Sequence, residues 1–399
     1  MIRQGPALAL AGLFALLAAC HTAPRRATGV AGVPRIEYAA APWQDLPGWE
    51  ADASAQAWPA LLASCQVHLR PEWNGVCAAA AQLDPVTDRT VREFFAANFR
   101  PLRIIRAARG AVFAQTTGLL TGYYEPQLRG SRNHLPGYDT PLYSPPEDLL
   151  TVDLGAIIPE LKDRRVRGRL VGRTVVPYFA RGELAADPAL QGHELIWLRS
   201  ALDAMLLEVQ GSGRIQLEDG TVIRLGYADQ NGQPYHSIGR YLVSQGALTV
   251  EQADIPGIRA WLSTHPQRLR EVLNANPSVV FFQELPLGDP TLGPRGAQGV
   301  ALTAGRSIAV DPAFIPLGTP VYLAAAGAAN LRRLVVAQDT GGAISGAARA
   351  DLFCGSGDDA AQLAGTLRAQ SSLWLLWPRD APLPVSASAV QNSRQILPK

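Results

Sequence analysis

The sequence lacks a strong excess of either charge. Its 36 lysines and arginines are almost balanced by 34 aspartates and glutamates, so the formal net charge is only +2. Such a balance provides no broad positive field, which argues against nucleic acid as a partner. Cysteine and histidine are also scarce, at four and six residues, and none of their spacings is typical of a zinc site. We therefore expect no metal and no other cofactor.

The N-terminal apolar run is too short to span a bilayer comfortably. Residues 7–19 are uncharged and follow a single arginine, Arg3, which is the pattern of an export signal. The run ends in Leu-Ala-Ala-Cys, which resembles a bacterial lipobox, so we expect Cys20 to be the lipidated first residue of the mature protein. Histidine at position 21 favours an outer-membrane lipoprotein that faces the periplasm. A plain secretory signal with a chance cysteine is the alternative.

Export to an oxidising compartment permits disulfide bonds. Cys65 lies on the apolar side of a helical pattern, and a turn signal precedes Cys77, twelve residues later. A disulfide that closes a helical hairpin is one interpretation, and two buried thiols are the other. Cys354 has no obvious partner in the sequence.

Apolar periodicity predicts helices near the N terminus and β-strands after them. Helical spacing occupies roughly residues 57–99 and recurs at 196–210 and 266–273. Short apolar runs between glycines and prolines predict strands at 111–113, 221–223, 279–282, 307–310, 320–323 and 331–336. This close spacing of short runs favours β-barrels. Residues 21–45, rich in alanine, proline and arginine, predict a tether, and residues 379–399, without apolar periodicity, predict a disordered tail.

A single Asp-Thr-Gly motif follows an apolar run at residues 339–341. In that setting the motif suggests an aspartic protease, which needs two carboxylates that share one proton. A pepsin-like chain supplies two such motifs, whereas this sequence contains one. A retroviral-type dimer would use much shorter chains than one that carries the motif near residue 339 of 399. Both kinds of protease are therefore disfavoured.

Three aspartates end strand-like segments in the same part of the chain. Asp339 and Asp351 flank a glycine-rich stretch that permits a tight turn, so adjacent strands would bring both carboxylates to one surface. Asp311 follows another strand-like run and precedes a proline. Aspartates beside glycine and proline are often only turn or cap residues, and this alternative stays open at the level of pattern.

Six blocks of sequence resemble, in order, the family of membrane-bound lytic murein transglycosylase A. The blocks are LLTGYYEPQLRGS (119–131), LEVQGSGRIQLEDG (207–220), GYADQNGQPYHSIGRYL (226–242), NPSVVFFQE (276–284), GRSIAVDPAFIPLGTPVY (305–322) and AQDTGGAISGAARADLF (337–353). The family's C-terminal part is called the 3D domain after three aspartates, which match Asp311, Asp339 and Asp351. The resemblance covers roughly residues 110–378.

The resemblance implies a mainly β fold with N-terminal helices, in which a double-psi β-barrel is interrupted by a second, smaller β-barrel with a groove between them. We expect the chain to divide as follows: signal peptide 1–20, tether 21–45, helical region and first part of the double-psi barrel 46–126, inserted barrel 127–286, second part of the double-psi barrel (3D domain) 287–378, and tail 379–399. The implied substrate is the glycan strand of peptidoglycan, cleaved without water to leave a 1,6-anhydro sugar.

The resemblance also implies a site in which one carboxyl acts first as acid and then as base. That carboxyl needs a raised pKa, and Asp351, beside Leu352 and Phe353, fits this better than Asp339 among glycine, threonine and glutamine. Asp339 is expected beside it. The candidates for substrate binding are Thr121, Gly122, Tyr123, Tyr124, Gln210, Ser212, Gly213 and Asp311.

Several of these assignments keep a structural alternative. Tyr123 and Tyr124 are adjacent, so one of them is expected to point away from the site if this segment is a strand. Residues 210–213 could form only a turn, and Asp311 could be purely structural. Two positions depart from the family pattern: Cys354 stands where tryptophan is common, and Ser345 where lysine is common.

Two other functions remain open. A non-catalytic peptidoglycan-binding lipoprotein would use the same barrel only for adhesion. A conventional hydrolase would use Asp339 and Asp351 as a pair, and it requires two carboxyls at a defined separation that the sequence does not provide.

Overall fold

The computed structural model describes residues 35–67, 70–107, 114–158, 166–184, 188–326 and 330–384. The predicted signal with Cys20, the first part of the predicted tether, the strand predicted at 111–113 and most of the predicted tail lie outside these ranges. Every helix among the described residues is too short or too polar to cross a bilayer.

The described residues form short helices and many β-strands. The strands are β1 Arg35–Ala40, β2 Phe99–Ala107, β3 Ala114–Gln115, β4 Thr117–Glu125, β5 Gln127–Ser131, β6 Thr140–Tyr143, β7 Leu150–Val152, β8 Val166–Val171, β9 Thr174–Pro177, β10 Glu194–Leu198, β11 Ser212–Gln216, β12 Val222–Gln230, β13 Val280–Leu285, β14 Ser307–Val310, β15 Pro320–Ala325, β16 Arg332–Asp339, β17 Ala350–Ser356 and β18 Arg368–Pro378. The α-helices are α1 Trp58–Gln66, α2 Asn74–Ala80, α3 Asp88–Asn98, α4 Arg181–Leu184, α5 Ala201–Gln210, α6 Ile238–Ser244, α7 Ile255–Thr264, α8 Leu269–Asn274 and α9 Asp358–Thr366.

The first body is a closed barrel. Its strands follow the order β18-β15-β16-β14-β17-β4, and β4 pairs again with β18. The pairs β14–β16 and β4–β17 are parallel, whereas the other pairs around the ring are antiparallel. One of these strands, β4, precedes the second body in the chain, and the others follow it. A barrel interrupted by a second β-structure is the architecture that the family resemblance implied.

The second body is built on the strand order β13-β12-β11-β5-β10-β6, and its outer strands β13 and β6 contact each other. A separate three-stranded sheet, β7-β8-β9, extends from it. The core of the six-stranded sheet contains apolar residues from its strands, among them the fully buried Ile215, Leu225 and Phe282. Helix α5 packs on this core through Leu207.

The N-terminal helices cover one side of the barrel. Trp58 of α1 contacts Phe94 of α3 edge to face, with 4.9 Å between ring centroids. Both residues belong to the large core that includes Val321 and Leu375 of the barrel. Thr87 caps α3 by accepting the backbone N–H of Thr90. A disulfide between Cys65 and Cys77 joins α1 and α2.

A buried glutamate joins the two bodies. Glu125, at the end of β4, is 0% exposed. Its carboxylate accepts from Arg214 Nε at 2.8 Å and Arg224 Nε at 2.7 Å, both in the second body, and from Ser356 Oγ of β17 at 2.8 Å. Because a buried carboxylate needs opposite charges and hydrogen bonds, these contacts hold the second body at one orientation against the barrel.

Three predicted segments differ from the structure. Residues 35–40 of the predicted tether form strand β1, which pairs along its length with β2. The predicted helix 196–210 is divided: Ile196 and Leu198 are buried in strand β10, and the helix starts only after the cap at Ser200. The first residues of the predicted tail pack on the barrel, where the Trp377 indole donates to Pro382 O at 2.8 Å.

Candidate active site

The two central aspartates lie in one row across four barrel strands. Asp339 of β16 pairs with Ala309 of β14, Ala309 pairs with Asp351 of β17, and Asp351 pairs with Thr121 of β4. Strands lie about 4.8 Å apart, so two spacings place the Cα atoms of Asp339 and Asp351 about 10 Å from each other. Ala309, which is 4% exposed, separates the two aspartates in this row.

A β-bulge brings Asp339 into this row. Ile308 pairs with Ala337, but the next residue, Ala309, pairs with Asp339 rather than with Gln338. Gln338 is completely buried and uses its amide group on Ser307, Ser64 and the Ala60 carbonyl. The extra residue thus lets Gln338 serve the core while Asp339 reaches the barrel surface.

Asp351 is a partly buried carboxyl with a raised pKa. Burial raises its pKa to about 6, and the charge of Asp339 adds to the rise, whereas the Thr121 hydrogen bond and the charge of Arg349 act against it. Thr121 Oγ1 donates to Asp351 Oδ1 at 2.6 Å. A carboxyl with these properties keeps its proton to a higher pH than an exposed aspartate, as a general acid requires.

Asp339 is held by three donors. Tyr123 OH donates to Oδ2 at 2.8 Å, and the backbone N–H groups of Ala297 and Thr340 donate to Oδ1 at 2.8 and 2.9 Å. Hydrogen bonds of this kind favour the ionised carboxylate. Burial, followed by the charge of Asp339, raises the pKa of Tyr123 well above its usual range, so this hydroxyl stays protonated and donates.

The adjacent tyrosines separate to opposite faces of β4. Tyr123 packs against Phe353 at 5.4 Å between ring centroids and reaches Asp339. Tyr124 contributes its backbone N–H to Gln210 Oε1 at 3.0 Å, and its pKa is raised by burial and then by Asp203 on α5. The structure therefore places Tyr123 in the site and Tyr124 against the second body, where Gln210 connects α5 to β4.

The two glycines predicted to bind substrate both permit close packing. A Cβ atom on Gly122 would lie 2.8 Å from Ala364 Cα, so this glycine allows α9 to approach β4. A Cβ atom on Gly213 would lie 2.3 Å from Leu207 Cδ1, and the neighbouring Ser212 is 8% exposed within β11. Protein atoms fill the space that a Cβ atom would take at either glycine, and the expected approach of a sugar to them stays a prediction.

Asp311 holds a loop. Its Oδ1 accepts the N–H of Ala313 at 3.1 Å, and its Oδ2 accepts the N–H of Gly346 at 2.8 Å. Gly346 lies in the loop between β16 and β17 and has φ of +113°, a conformation that favours glycine. The structural alternative for Asp311 therefore describes its contacts better than substrate binding does.

Cys354 lies on the side of β17 that faces Gly122 and helix α9. Its Sγ contacts the Leu352 carbonyl, and burial raises the pKa of its thiol to about 12. The aromatic side chain beside the acid is Phe353, which is 1% exposed and packs at a tilt against Tyr123.

Sequence reasoning missed three contributors: Ala309, the backbone of Ala297, and Arg349. The sequence did contain a signal for Arg349, which lies two residues before Asp351. Residues two apart on an extended segment share a face, so Arg349 could have been predicted beside the acid. Ala297 had none, since it approaches Asp339 from a distant loop.

A cleft of about 300 Å³ adjoins Phe353 at the junction of the two bodies. It is lined by Gln127, Arg214, Pro290, Thr291, Gly293, Ala304, Phe353, Gly355 and Ser356. Within the described ranges, no group of three or more histidine, cysteine, aspartate or glutamate side chains is arranged to hold a metal ion. The lining of the cleft thus combines polar and small residues with one aromatic residue, Phe353.

Comparison with known proteins identifies two family models in this chain. The MltA specific insert domain matches residues 119–283, and the 3D domain matches residues 306–377. Membrane-bound lytic murein transglycosylase A of Escherichia coli (strain K12) is 31% identical over 266 residues, which are 64% of this chain and 64% of the relative. The match therefore spans slightly less than two thirds of that curated relative.

Solved structures extend the likeness over more of the chain. MltA from Neisseria gonorrhoeae is 34% identical with a TM-score of 0.72, and the match covers 88% of this chain and 96% of that one. E. coli MltA with bound chitohexaose is 26% identical with a TM-score of 0.62 and coverage of 83% and 92%. Since the insert and 3D domains both match and the likeness covers nearly the whole neisserial structure, the chain belongs to the family of membrane-bound lytic murein transglycosylase A.

Proposed function

We propose that this protein cleaves the β-1,4 bond between N-acetylmuramic acid and N-acetylglucosamine in peptidoglycan and leaves a 1,6-anhydromuramic acid end. The observation that carries the proposal is Asp351: a partly buried carboxyl with a pKa of about 6, hydrogen-bonded to Thr121 and in the same row of strands as Asp339. The role in the cell would be turnover of the wall.

One carboxyl performs both proton transfers in this reaction. Protonated Asp351 donates its proton to the glycosidic oxygen as the bond from that oxygen to C1 breaks. The 6-hydroxyl of the same muramic acid attacks C1, and Asp351 takes the hydroxyl proton, which restores the acid. No water is consumed, so the product is lighter by one water than a hydrolysis product.

Asp339 has a supporting role in this scheme. Its Oδ1 already accepts two backbone N–H groups and its Oδ2 accepts the Tyr123 hydroxyl, so its oxygens are engaged rather than poised to attack carbon. As an ionised group across the row from Asp351, it stabilises the positive charge that develops on the sugar ring. These contacts favour the single-acid reaction over a hydrolase that would use Asp339 as its nucleophile or base.

The substrate class follows from the family and from the site. An E. coli relative has been solved with chitohexaose, and the cleft here carries hydrogen-bonding groups at the junction of the two bodies. Glycan strands of peptidoglycan fit such a groove. The rings of Tyr123 and Phe353 pack against each other at a tilt beside the acid.

The proposed location is the periplasmic face of the outer membrane, with the chain anchored through lipid on Cys20. This rests on the export signal and the lipobox-like sequence. Metabolic labelling with radioactive palmitate tests it: label should enter wild type and be absent from Cys20→Ala. Label in Cys20→Ala, or none in wild type, would contradict the anchor.

The reaction is tested by incubating the lipid-free protein with purified peptidoglycan sacculi and analysing soluble products by mass spectrometry. Wild type and Asp359→Asn, a control at an exposed aspartate of α9, should release anhydro-muropeptides. Asp351→Asn should release none. Products with reducing ends would instead indicate a two-carboxylate hydrolase, and binding of sacculi without any release would indicate an adhesion module.

A further inference from the structure

Arg349 lies behind the hydroxyl that contacts the acid. Its Nη2 donates to Thr121 Oγ1 at 2.7 Å, and its Nη1 donates to the Leu119 carbonyl at 3.1 Å and to the Ala350 carbonyl. The guanidinium is half-buried between the end of the β16–β17 loop and strand β4. Leu119 and Thr121 both belong to β4, so Arg349 is anchored to the same strand that presents the hydroxyl to Asp351.

The chemistry of the three groups determines where each hydrogen lies. A guanidinium only donates, whereas a threonine hydroxyl has one hydrogen and two lone pairs. Since Arg349 donates to Oγ1, the oxygen accepts there, and its single hydrogen is free for another partner. The atom at 2.6 Å from Oγ1 is Asp351 Oδ1, which therefore receives that hydrogen.

We propose that Arg349 is a positioning residue that acts through Thr121: it commits the Thr121 hydroxyl to donate to Asp351 Oδ1 and so reserves Oδ2 for the proton that the reaction transfers. The inference rests on the proposed function, which it deepens. A carbonyl oxygen accepts a hydrogen bond better than the hydroxyl oxygen of a carboxylic acid does. With Oδ1 occupied as an acceptor, the protonated acid carries its hydrogen on Oδ2.

The arrangement serves both halves of the reaction. In the first half, Oδ2 gives up its proton while Oδ1 keeps the hydrogen bond from Thr121, so the carboxylate that forms is stabilised without any rearrangement. In the second half, the same oxygen Oδ2 takes the proton from the 6-hydroxyl. One oxygen thus handles both transfers, and the other remains an anchor.

The charge of Arg349 also affects the acid. The charged and titratable groups that influence Asp351 are Arg349 itself and Asp339 on β16, and Asp351 in turn influences Tyr123 on β4 and Cys354 on β17. Strand β14 faces it with Ala309, which does not titrate. Burial and the charge of Asp339 raise the pKa of Asp351, whereas the charge of Arg349 lowers it. Removal of Arg349 should therefore raise the pKa of Asp351 further.

A double-mutant cycle, with sacculi as substrate, tests this relay, in which Arg349 acts on Asp351 through the Thr121 hydroxyl. Thr121→Val and Arg349→Met should each lower kcat about tenfold with KM changed less than about twofold, because geometry at the acid is lost and substrate contacts are not. The double variant should be no worse than about twofold below Thr121→Val, since Arg349 acts through that hydroxyl. Losses that multiply to about a hundredfold would overturn the relay.

Arg349→Lys keeps a charge and a donor, so it should recover most of the rate that Arg349→Met loses. A purely structural role would instead show as a lowered melting temperature in Arg349→Met, with unchanged kcat in the molecules that stay folded. Thr121→Val leaves the two carbonyl contacts of Arg349 in place, and it remains informative even if Arg349→Met does not fold.

Titration of the Asp351 side chain gives a readout that needs no turnover. With aspartate labelled at the γ carbon, NMR should report a higher pKa for Asp351 in Arg349→Met than in wild type and a value near wild type in Arg349→Lys. An unchanged pKa in Arg349→Met would overturn the inference. If wild type releases no anhydro products, the proposed function is wrong, and the titration still decides whether Arg349 and Asp351 are coupled.

Discussion

Asp351 and Asp339 face each other across a single strand, with Ala309 between them. The first carries a raised pKa and the second is held by three hydrogen-bond donors. Two carboxyls of the same chemical kind therefore lie in different environments, and burial raises the pKa of Asp351 to about 6. This division of roles leads to the first two predictions.

Asp351 should make the folded protein less stable as pH rises. Its pKa is about 6 in the folded state against an ordinary value of 3.8, so the folded state binds more protons than the unfolded state between these values and stability falls with pH there. Asp351→Asn removes this loss, and its free energy of unfolding should exceed that of wild type by up to about 3 kcal/mol at pH 7. Urea unfolding at pH 7 and at pH 3.5 measures the difference, which should largely disappear at the lower pH. A variant that is equally destabilised at both values would contradict the buried-acid interpretation.

The pH profile of the reaction should report the same group. Asp351 must be protonated before the first step, so activity should fall as pH rises through about 6. Asp339→Asn removes the like charge that raises the pKa of Asp351, so the fall should move to lower pH and the maximal rate should drop as well. Initial rates of anhydro-muropeptide release between pH 4 and 8 would show both effects. A profile unaltered in Asp339→Asn would mean that the two carboxyls do not interact.

Tyr123 and Tyr124 provide a matched pair. Tyr123→Phe removes the hydroxyl that donates to Asp339 but keeps the ring on Phe353, so kcat should fall about tenfold or more, since a hydrogen bond to a charged group contributes about 1.5–3 kcal/mol. Tyr124→Phe keeps the backbone N–H that contacts Gln210 and should change kcat less than about twofold. Thermal unfolding of Tyr124→Phe should stay close to wild type, whereas Tyr123→Phe should unfold at a lower temperature because Asp339 loses one of its donors. Equal losses of activity in the two variants would contradict the assignment of faces on β4.

Gly122 and Gly365 test the packing of α9 on the barrel. Gly122→Ala should destabilise by about 1–3 kcal/mol, because its Cβ would lie 2.8 Å from Ala364 Cα and the helix would have to move. Gly365→Ala, within α9 and with open space around its Cβ position, should be neutral or slightly stabilising. Denaturant unfolding of the two variants compares them directly. A fully stable Gly122→Ala would show that α9 packs less closely on β4.

The buried ion pairs of Glu125, at the junction of the two bodies, should contribute far more to the free energy of unfolding than an exposed ion pair does. Glu125→Ala leaves two buried arginine side chains without their carboxylate and should cost about 3–5 kcal/mol. Glu284→Ala breaks the exposed pair with Arg132 and should cost less than about 1 kcal/mol. Chemical denaturation measures both costs. If Glu125→Ala were as mild as Glu284→Ala, the two bodies would be held together mainly by other contacts.

Local patterns predicted many elements because their signals are short-range. The run 307–310 coincides with β14, and the helical spacing in residues 57–99 corresponds to α1, α2 and α3. The segment 196–210 was harder, since Ile196 and Leu198 fit the helical period of the residues after them. Their partners in the sheet, Leu142 and Thr140 on β6, lie more than fifty residues away, and that pairing outweighs the local pattern.

The sequence by itself determined the family and the identity of the two central aspartates and predicted an export signal, because these are carried by blocks of residues that can be recognised without coordinates. Only the tertiary structure decided what each neighbour does. The bulge at Ile308 and Ala309 brings Asp339 into the row, Gly122 and Gly213 turn out to face protein atoms, and Arg349 lies behind Thr121. Each of these outcomes depends on contacts between strands that are distant in the chain, and the geometry of such contacts is set by packing rather than by any local pattern.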